Sequence, residues 1–138
     1  MHQGLEGLDS HGCKYIRQAD VNHTLESLFI DEYYRKQYPN DKRWDYLVDN
    51  RTLCIAYFVE VHEATSRGCK EVMEKYDWLI SIINAEGSEL HKYQNVKQKG
   101  YYWIRTGKNR LNPNDMHYKR WKTSKKFKHI ELCQQLRV

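Results

Sequence analysis

Apolar residues recur at intervals of three and four near the beginning of the chain, at Val21, Leu25, Leu28, Phe29 and Tyr33. Because one helical turn takes about 3.6 residues, this spacing predicts a helix over residues 20–34, with Asp20 as a favourable N-cap. On a helical wheel, Glu26 falls at the edge of the apolar stripe. We therefore expect Glu26 to face the margin of the core.

Two apolar segments follow, separated by a short turn. Residues 43–48 and 53–63 predict the strands of a hairpin, with residues 49–52 as its connection. The run 53–59 is apolar on both alternating faces, which is typical of a central strand covered on both sides. The far end of this strand becomes abruptly polar at Glu60.

A second helical pattern and two further strands complete the chain. Residues 66–85 carry apolar side chains at helical spacing and are followed by Gly87, which favours a helix end. Residues 101–105 predict a strand, 106–115 a polar loop and 127–132 a final strand. The predicted order is helix, hairpin, helix, strand, strand, which indicates an α/β fold.

A length of 138 residues is typical of one domain. We expect residues 1–18 to form an N-terminal arm and residues 19–138 a single domain with a basic C-terminal region, 92–138. The N-terminus lacks the apolar segment of a signal peptide, and no stretch approaches the ~18 apolar residues of a membrane span. We therefore expect a cytoplasmic protein with no membrane partner, and a nucleoid-associated location is compatible with that.

The cysteines are widely scattered, at Cys13, Cys54, Cys69 and Cys133, without a C-x-x-C pair. This usage favours reduced thiols over a disulfide scaffold or a structural zinc site. A zinc site built from Cys13, His11 and a distant pair of ligands remains an alternative.

Charge is divided unevenly along the chain, whose net charge is +5 at pH 7. Residues 1–91 hold 10 lysines and arginines against 16 acids, a net charge of −6, whereas residues 92–138 hold 13 against 2, a net charge of +11. A local excess of this size attracts polyanions. The candidate contacts to nucleic acid are Lys97, Lys99, Arg105, Lys108, Arg110, Lys119, Arg120, Lys122, Lys125 and Lys126.

Aromatic residues lie among these cations, at Tyr101, Tyr102, Trp103, Tyr118, Trp121 and Phe127. Cations that neutralise phosphates and aromatic rings that stack on bases together favour nucleic-acid binding. The alternative is a solvated basic face whose aromatic side chains turn into the core. We expect that alternative to hold for most of the individual rings, above all for Trp103.

Strand parity makes the end of the hairpin a candidate site. Glu60 and His62 share one face of their strand, Asp45 comes from the neighbouring strand, and Glu26 approaches from the first predicted helix. Clustered carboxylates need a counter-charge, because they raise one another's pKa and are costly to bury unpaired. Magnesium (Mg²⁺) or manganese (Mn²⁺) would supply that charge through oxygen ligands and retained water.

Residues 44–48 (WDYLV) and 58–64 (FVEVHEA) together resemble the signature of the PD-(D/E)XK, or restriction-endonuclease-like, nuclease superfamily. The resemblance implies an αβββαβ core over about residues 19–105, with a mixed central sheet flanked by helices. It also implies a metal-dependent nuclease that hydrolyses phosphodiesters, with DNA as the expected substrate.

Residue by residue, Asp45 matches the Asp of the motif, Glu60 the Glu, His62 the position of the Lys, and Glu26 the helical Glu found in many members. The resemblance implies that Asp45, Glu60 and the backbone carbonyl of Val61 bind the metal. Each acid also has a structural alternative, namely a lysine pair or turn cap for Asp45, a strand-end ion pair for Glu60 and an arginine pair for Glu26.

The sequence departs from the family pattern at several positions. His62 stands where Lys is usual, Trp44 stands where Pro is frequent, and the second helix has no Gln-x-x-x-Tyr pattern. A histidine acts as a base near neutral pH or as a weak cation, but it is not a permanently charged ammonium. A displaced lysine, Lys70 or Lys75 on the next helix or Lys14, would substitute for it.

Two other classes of function compete with the nuclease. One is a catalytically inactive module that keeps the nuclease fold and binds nucleic acid, and His62 is the feature that favours it. The other is a protein-interaction subunit whose basic face meets an acidic partner. A homodimer would suit the cutting of both strands of a duplex, by analogy with the fold alone.

Overall fold

The computed structural model describes the backbone of residues 1–138 and every side chain except that of Phe127. Over these residues the chain forms a mixed six-stranded sheet, a two-stranded sheet and four α-helices. The strands are β1 (His2–Gln3), β2 (Ile16–Arg17), β3 (Leu25–Phe29), β4 (Tyr46–Asn50), β5 (Ile55–Glu63), β6 (Lys99–Thr106), β7 (Ile130–Cys133) and β8 (Leu136–Arg137). The helices are α1 (Ser10–Tyr15), α2 (Ile30–Tyr33), α3 (Ser66–Asn84) and α4 (Met116–Thr123).

The large sheet has the strand order β1-β3-β4-β5-β6-β7. Strands β3, β4 and β5 form an antiparallel meander, whereas β5, β6 and β7 run parallel. Parallel neighbours need a crossover connection, and α3 and α4 lie in the two crossovers. Strand β5 therefore lies inside the sheet, as its apolar sequence predicted.

Each face of the sheet is covered by a separate apolar cluster. On one face, Phe58 and Trp103 pack with the buried residues of α3, such as Leu79. On the other face, Val59 packs with residues near both chain termini, including Ile16. This two-sided cover explains why successive side chains of β5 are apolar.

The predicted helix over residues 20–34 is wrong. Residues Leu25–Phe29 form strand β3, and a helical turn, α2, spans only Ile30–Tyr33. Leu25 and Leu28, which shared one side of the predicted helix, lie in the clusters on opposite faces of the sheet. The spacing of three that suggested a helix also places these residues on alternate faces of a strand. Pairing with β4 decides between the two structures.

The later elements follow the prediction more closely. Strands β4 and β5 form a hairpin as predicted, but β4 is Tyr46–Asn50 where 43–48 was expected, and Asp49 and Asn50, predicted in the turn, belong to the strand. Strand β6 contains the predicted strand 101–105. Helix α3 begins where Thr65 accepts a hydrogen bond from the Gly68 amide, and it ends within one residue of the prediction. The final strand is Ile130–Cys133, and a 3-10 turn at Lys125–Lys128 occupies the start of the stretch predicted as strand.

Residues 1–18, which we predicted as an N-terminal arm, belong to the folded core. Strand β1 pairs with β3, and β2 pairs with the C-terminal strand β8. Helix α1 packs so closely on Tyr46 that a Cβ atom at Gly12 would lie 2.9 Å from the ring. None of the helices formed by the described residues has the length and apolar run that a membrane crossing needs.

Candidate active site

Asp45 and Glu60 lie together at the end of the β4–β5 hairpin. Tyr46 is paired with Val59, so Asp45, which directly precedes β4, comes opposite Glu60. The Asp45 amide donates to Glu60 Oε2 at 3.1 Å, and the Val61 amide donates to Asp45 Oδ2 at 3.0 Å. These reciprocal bonds fix both carboxyl groups relative to the backbone.

Lys75 on α3 completes this arrangement. Its Nζ donates a hydrogen bond to Glu60 Oε1 and another, of 3.2 Å, to Asp45 Oδ1. Of the other two lysines that the sequence suggested, Lys70 lines a groove between α3 and α4, and Lys14 lies over an aromatic ring of α1. Lys75 is thus the displaced lysine that meets the two acids. We call Asp45, Glu60 and Lys75 the acid–lysine cluster.

Burial dominates the electrostatics of the cluster. The side chain of Glu60 is 0% exposed, and those of Asp45 and Lys75 are 16% and 17% exposed. Burial raises the pKa of Asp45 to about 7, repulsion from Glu60 acts in the same direction, and Lys75 opposes both. Burial acts to lower the pKa of Lys75, but the two carboxylates outweigh it and hold this pKa above its ordinary value. Lys75 therefore stays cationic at neutral pH.

His62 lies on the same face of β5 as Glu60, as strand parity predicted. Its Nδ1 is 3.6 Å from Glu60 Oε1, and its Nε2 is 2.7 Å from Glu71 Oε2 on α3. Interaction with Glu60 raises the pKa of the imidazole, and Glu71 adds to this against the effects of burial and Lys75. The two neighbouring acids therefore favour the protonated form of His62.

Glu71 is a member of this network that sequence reasoning missed. Its carboxylate accepts a hydrogen bond from Arg67 Nε at 3.1 Å and also pairs with the imidazole of His62. The signal was present, because Glu71 and Lys75 are four residues apart on the predicted helix and so share one of its faces. Strand parity and the first predicted helix point only to the acids Asp45, Glu60 and Glu26, so they do not reveal Glu71.

The oxygen atoms present suit a hard divalent cation. Asp45 and Glu60 offer carboxylates, and Val61 offers the backbone carbonyl that the resemblance implies as a ligand. Among the described residues there is no group of three or more His, Cys, Asp or Glu side chains able to hold a metal. That disfavours the zinc alternative with Cys13 and His11, whereas Mg²⁺ commonly retains several water ligands and needs one or two carboxylates.

Glu26 lies elsewhere, because the helix predicted for it is a strand. It is paired with Asp49 in the sheet, whereas Phe29 is paired with Tyr46, the neighbour of Asp45. These register positions are three residues apart, roughly 10 Å along a strand. Glu26 instead lies 4.0 Å from Arg51, the arginine pair that was its structural alternative.

Two hollows open beside His62, at the carboxyl ends of β5 and β6. The larger, of about 430 Å³, is lined by Val61, His62 and Glu71 among others. The smaller, of about 220 Å³, is lined by Lys108 and Arg110 together with polar and small residues. Both are open to solvent, and the larger begins one residue beyond Glu60.

The cations predicted to bind nucleic acid fall into separate groups. In the register of β6 with β5, Lys99 lies opposite Ala56 and Arg105 lies opposite His62. These two cations are therefore six residues apart on β6, roughly 20 Å. Lys99 donates to two main-chain carbonyls at 2.8 Å and so serves the local fold. Lys126 pairs with Asp77 at 2.7 Å.

The remaining predicted cations are exposed and are divided among three places. Lys97 precedes β6, and Lys108 and Arg110 follow it. The others lie on α4 and the adjoining 3-10 turn, at Lys119, Arg120, Lys122 and Lys125.

The aromatic residues of the basic region pack mainly inside the protein. Trp103 and Trp121 are 0% and 1% exposed, and their rings meet edge to face at 5.2 Å. Tyr101 stacks on Phe58 with ring centroids 5.5 Å apart. The structural alternative is therefore confirmed for Trp103. Phe127, another predicted stacking residue, lies outside the described side chains.

The chain matches no known family model, and comparisons with curated proteins and with solved structures find no match.

Proposed function

We propose that this protein is a metal-dependent nuclease that hydrolyses phosphodiester bonds of nucleic acid, with DNA as the expected substrate. The observation that carries the proposal is the acid–lysine cluster. It joins an Asp before one strand, a Glu on the next strand and an ammonium group at one point of the sheet. That combination is the one implied by the resemblance, with Lys75 supplied by the helix in place of the usual strand lysine.

The fold supports the same proposal. If the short elements β2 and α2 are left out, α1, β3, β4, β5, α3 and β6 follow one another in the order αβββαβ, with α1 lying before the residues 19–105 to which the resemblance assigns the core. Strand β3, which sequence analysis mistook for a helix, supplies the strand that the predicted order lacked. The first three of these strands are antiparallel and the fourth is parallel to the third, so the sheet is mixed.

In this proposal Asp45, Glu60 and the Val61 carbonyl hold Mg²⁺ or Mn²⁺. The metal, when bound, lowers the pKa of its bound water and offsets charge on the reacting phosphate. Lys75 supplies a fixed positive charge near the phosphate, which is most effective where water is excluded. His62, held between Glu60 and Glu71, acts as a second cation that positions Glu60.

The test is incubation of the purified protein with duplex DNA, single-stranded DNA and RNA in Mg²⁺, Mn²⁺ or EDTA. We expect cutting that requires metal and is lost in Glu60→Gln and Asp45→Asn. Glu26→Gln is the matched control. Glu26 is an acid on the same face of the sheet but lies away from the cluster, so this variant should leave cutting intact. Cutting that persists in EDTA or in Glu60→Gln would overturn the proposal.

A second candidate is a catalytically inactive nucleic-acid-binding module. It is favoured by the burial of Glu60 and by Lys75, which already compensates both carboxylates without a metal. Such a module would bind nucleic acid with a steep dependence on salt but would leave it uncut. Its melting temperature would also be the same in Mg²⁺ and in EDTA, whereas a metal site is stabilised by its ligand.

A further inference from the structure

The two hollows at the carboxyl ends of β5 and β6 are adjacent, because three residues line both of them. Both are lined by Glu63, Thr65 and Thr106, which lie at and just beyond the carboxyl ends of β5 and β6. The volumes of the two hollows are about 430 and 220 Å³. We call this feature the β5–β6 groove. Its basic and hydroxyl-bearing lining residues include His62, Thr65, Arg67, Thr106, Lys108 and Arg110.

The groove combines cations with hydroxyl groups, as phosphate-binding surfaces do. Arg67, Lys108 and Arg110 are exposed along it. Thr65 Oγ1 accepts from the Gly68 amide at 3.0 Å, so its hydroxyl proton remains available to an anion. Thr106 adds a second hydroxyl to the wall.

The acids of the groove do not cancel this character. Glu71 is engaged by His62 at 2.7 Å and by Arg67 at 3.1 Å, so its charge is compensated within the wall. Glu63 is exposed and is the remaining acid of the wall among the described residues. Lys108 and Arg110, which line the same hollow as Glu63, outnumber it.

The loop that carries the two C-terminal cations is tied to the end of the central strand. The Arg110 amide donates to the Ala64 carbonyl at 2.9 Å, and Arg105 donates to the Gly107 carbonyl. Gly107 has a φ of 68°, which a residue with a Cβ adopts at a cost, so the loop turns back at this point. Lys108 and Arg110 are thus held over the groove by the backbone.

The larger hollow of the groove lies beside the residues that follow Glu60 in β5. Val61 and His62 line it, and the Val61 amide donates to Asp45. A polymer chain lying in the groove would therefore pass beside Val61, whose carbonyl is one of the proposed metal ligands. Arg120 of α4 lines a different hollow, together with Lys70 and Asp77 of α3.

We propose that the β5–β6 groove binds the sugar–phosphate backbone of the strand that is cut, with Lys108 and Arg110 as its phosphate contacts. This inference rests on the proposed nuclease function and assigns the substrate strand to one of the separate groups of cations. Because phosphate contacts carry no base information, this part of the surface contributes affinity and register without sequence specificity.

The test measures binding of fluorescein-labelled single-stranded and duplex DNA by anisotropy in EDTA, so that no cutting is needed. In Lys108→Ala/Arg110→Ala we expect binding about tenfold weaker, and a slope of log affinity against log salt that is smaller by about 2. Arg120→Ala/Lys122→Ala is the matched control, because it also removes one arginine and one lysine, both exposed, from α4. It should change binding far less.

The outcomes separate this inference from the proposed function. An equal loss in the two double variants, or no loss in Lys108→Ala/Arg110→Ala, would overturn the groove. Selective loss together with no cutting by the wild-type protein would support the groove as a binding surface and overturn the nuclease. No binding of either DNA by the wild-type protein would overturn both. Circular dichroism of each variant shows that the comparison is made on folded protein.

Discussion

Lys75 and Glu60 are joined by a hydrogen bond between a helix and the central strand of the sheet, and Lys75 also lies 3.2 Å from Asp45. Two carboxylates thus share one ammonium group in a place where little water reaches them. Charges in such surroundings are costly unless they are paired, so the three side chains depend on one another. A change to any of them alters the state of the other two.

Replacing Lys75 with methionine keeps the length of the side chain and removes its charge. We expect Lys75→Met to lower the free energy of unfolding by about 3 kcal/mol at neutral pH, because two buried carboxylates lose their counter-charge. The loss should be smaller below about pH 7, where the Asp45 carboxyl is protonated. Urea unfolding at several pH values measures both effects.

The same variant should respond more strongly to magnesium than the wild-type protein does. With the ammonium gone, the proposed Mg²⁺ would replace the charge that Asp45 and Glu60 have lost, so its addition should raise the melting temperature of Lys75→Met by a larger amount. Lys70→Met, at an exposed position of the same helix, is the control and should behave like the wild-type protein. A Lys75→Met variant as stable as Lys70→Met at neutral pH would contradict the pairing.

Gly68, in the first turn of α3, packs closely against the end of β5. A Cβ atom at this position would collide with the backbone carbonyl of Glu63, which cannot move away as a flexible side chain can. We expect Gly68→Ala to lower the free energy of unfolding by about 2 to 3 kcal/mol. Gly87→Ala, where φ is 83° but the added Cβ meets nothing within 4 Å, should cost only about 1 kcal/mol. Equal losses in urea unfolding would show that the close approach at Gly68 is unimportant.

Long and strongly patterned elements could be predicted from the sequence. Strand β5 and helix α3 carry extended apolar patterns, and both lie where they were expected. Strand β3 is five residues long, and its apolar positions fit both a helix and a strand. Its identity is set by pairing with β4, a contact between distant residues that local spacing does not reveal.

The candidate site was predictable to the extent that it lies on one hairpin. Strand parity predicts that Glu60 and His62 share a face and that Asp45 lies on the neighbouring strand. The predicted turn at residues 49–52 would place Asp45 opposite Ala56, and only the observed register, with Asn50 opposite Ile55, brings Asp45 opposite Glu60. Lys75 was one of three lysines named, and only the packing of α3 on the sheet selects it. The β5–β6 groove was not predictable, because it depends on where the loop after β6 folds back onto the end of β5.

The stability of the protein should depend on pH through His62. The folded-state pKa of this imidazole is raised above its ordinary value of 6.5. The contribution of His62 to stability is therefore fully present below about pH 6.5 and is lost as pH rises through the folded-state pKa. In urea unfolding, His62→Gln should flatten the stability profile on the alkaline side of this pH. A variant that loses stability with rising pH as steeply as the wild-type protein would show that other groups set the profile.

Glu60 is the main acid that raises the pKa of His62, and Glu71 contributes in the same direction. Glu71→Gln preserves the shape of the side chain but removes the charge that lies 2.7 Å from His62 Nε2. We expect the pKa of His62, followed by the imidazole signals in an NMR titration, to fall, because Glu71 is one of the acids that raise it. Glu74→Gln is the matched control, because Glu74 lies on the same helix but pairs with Lys42. An unchanged titration in Glu71→Gln would mean that Glu60 alone holds the proton on His62, and positioning through Glu71 would then have no part in the site.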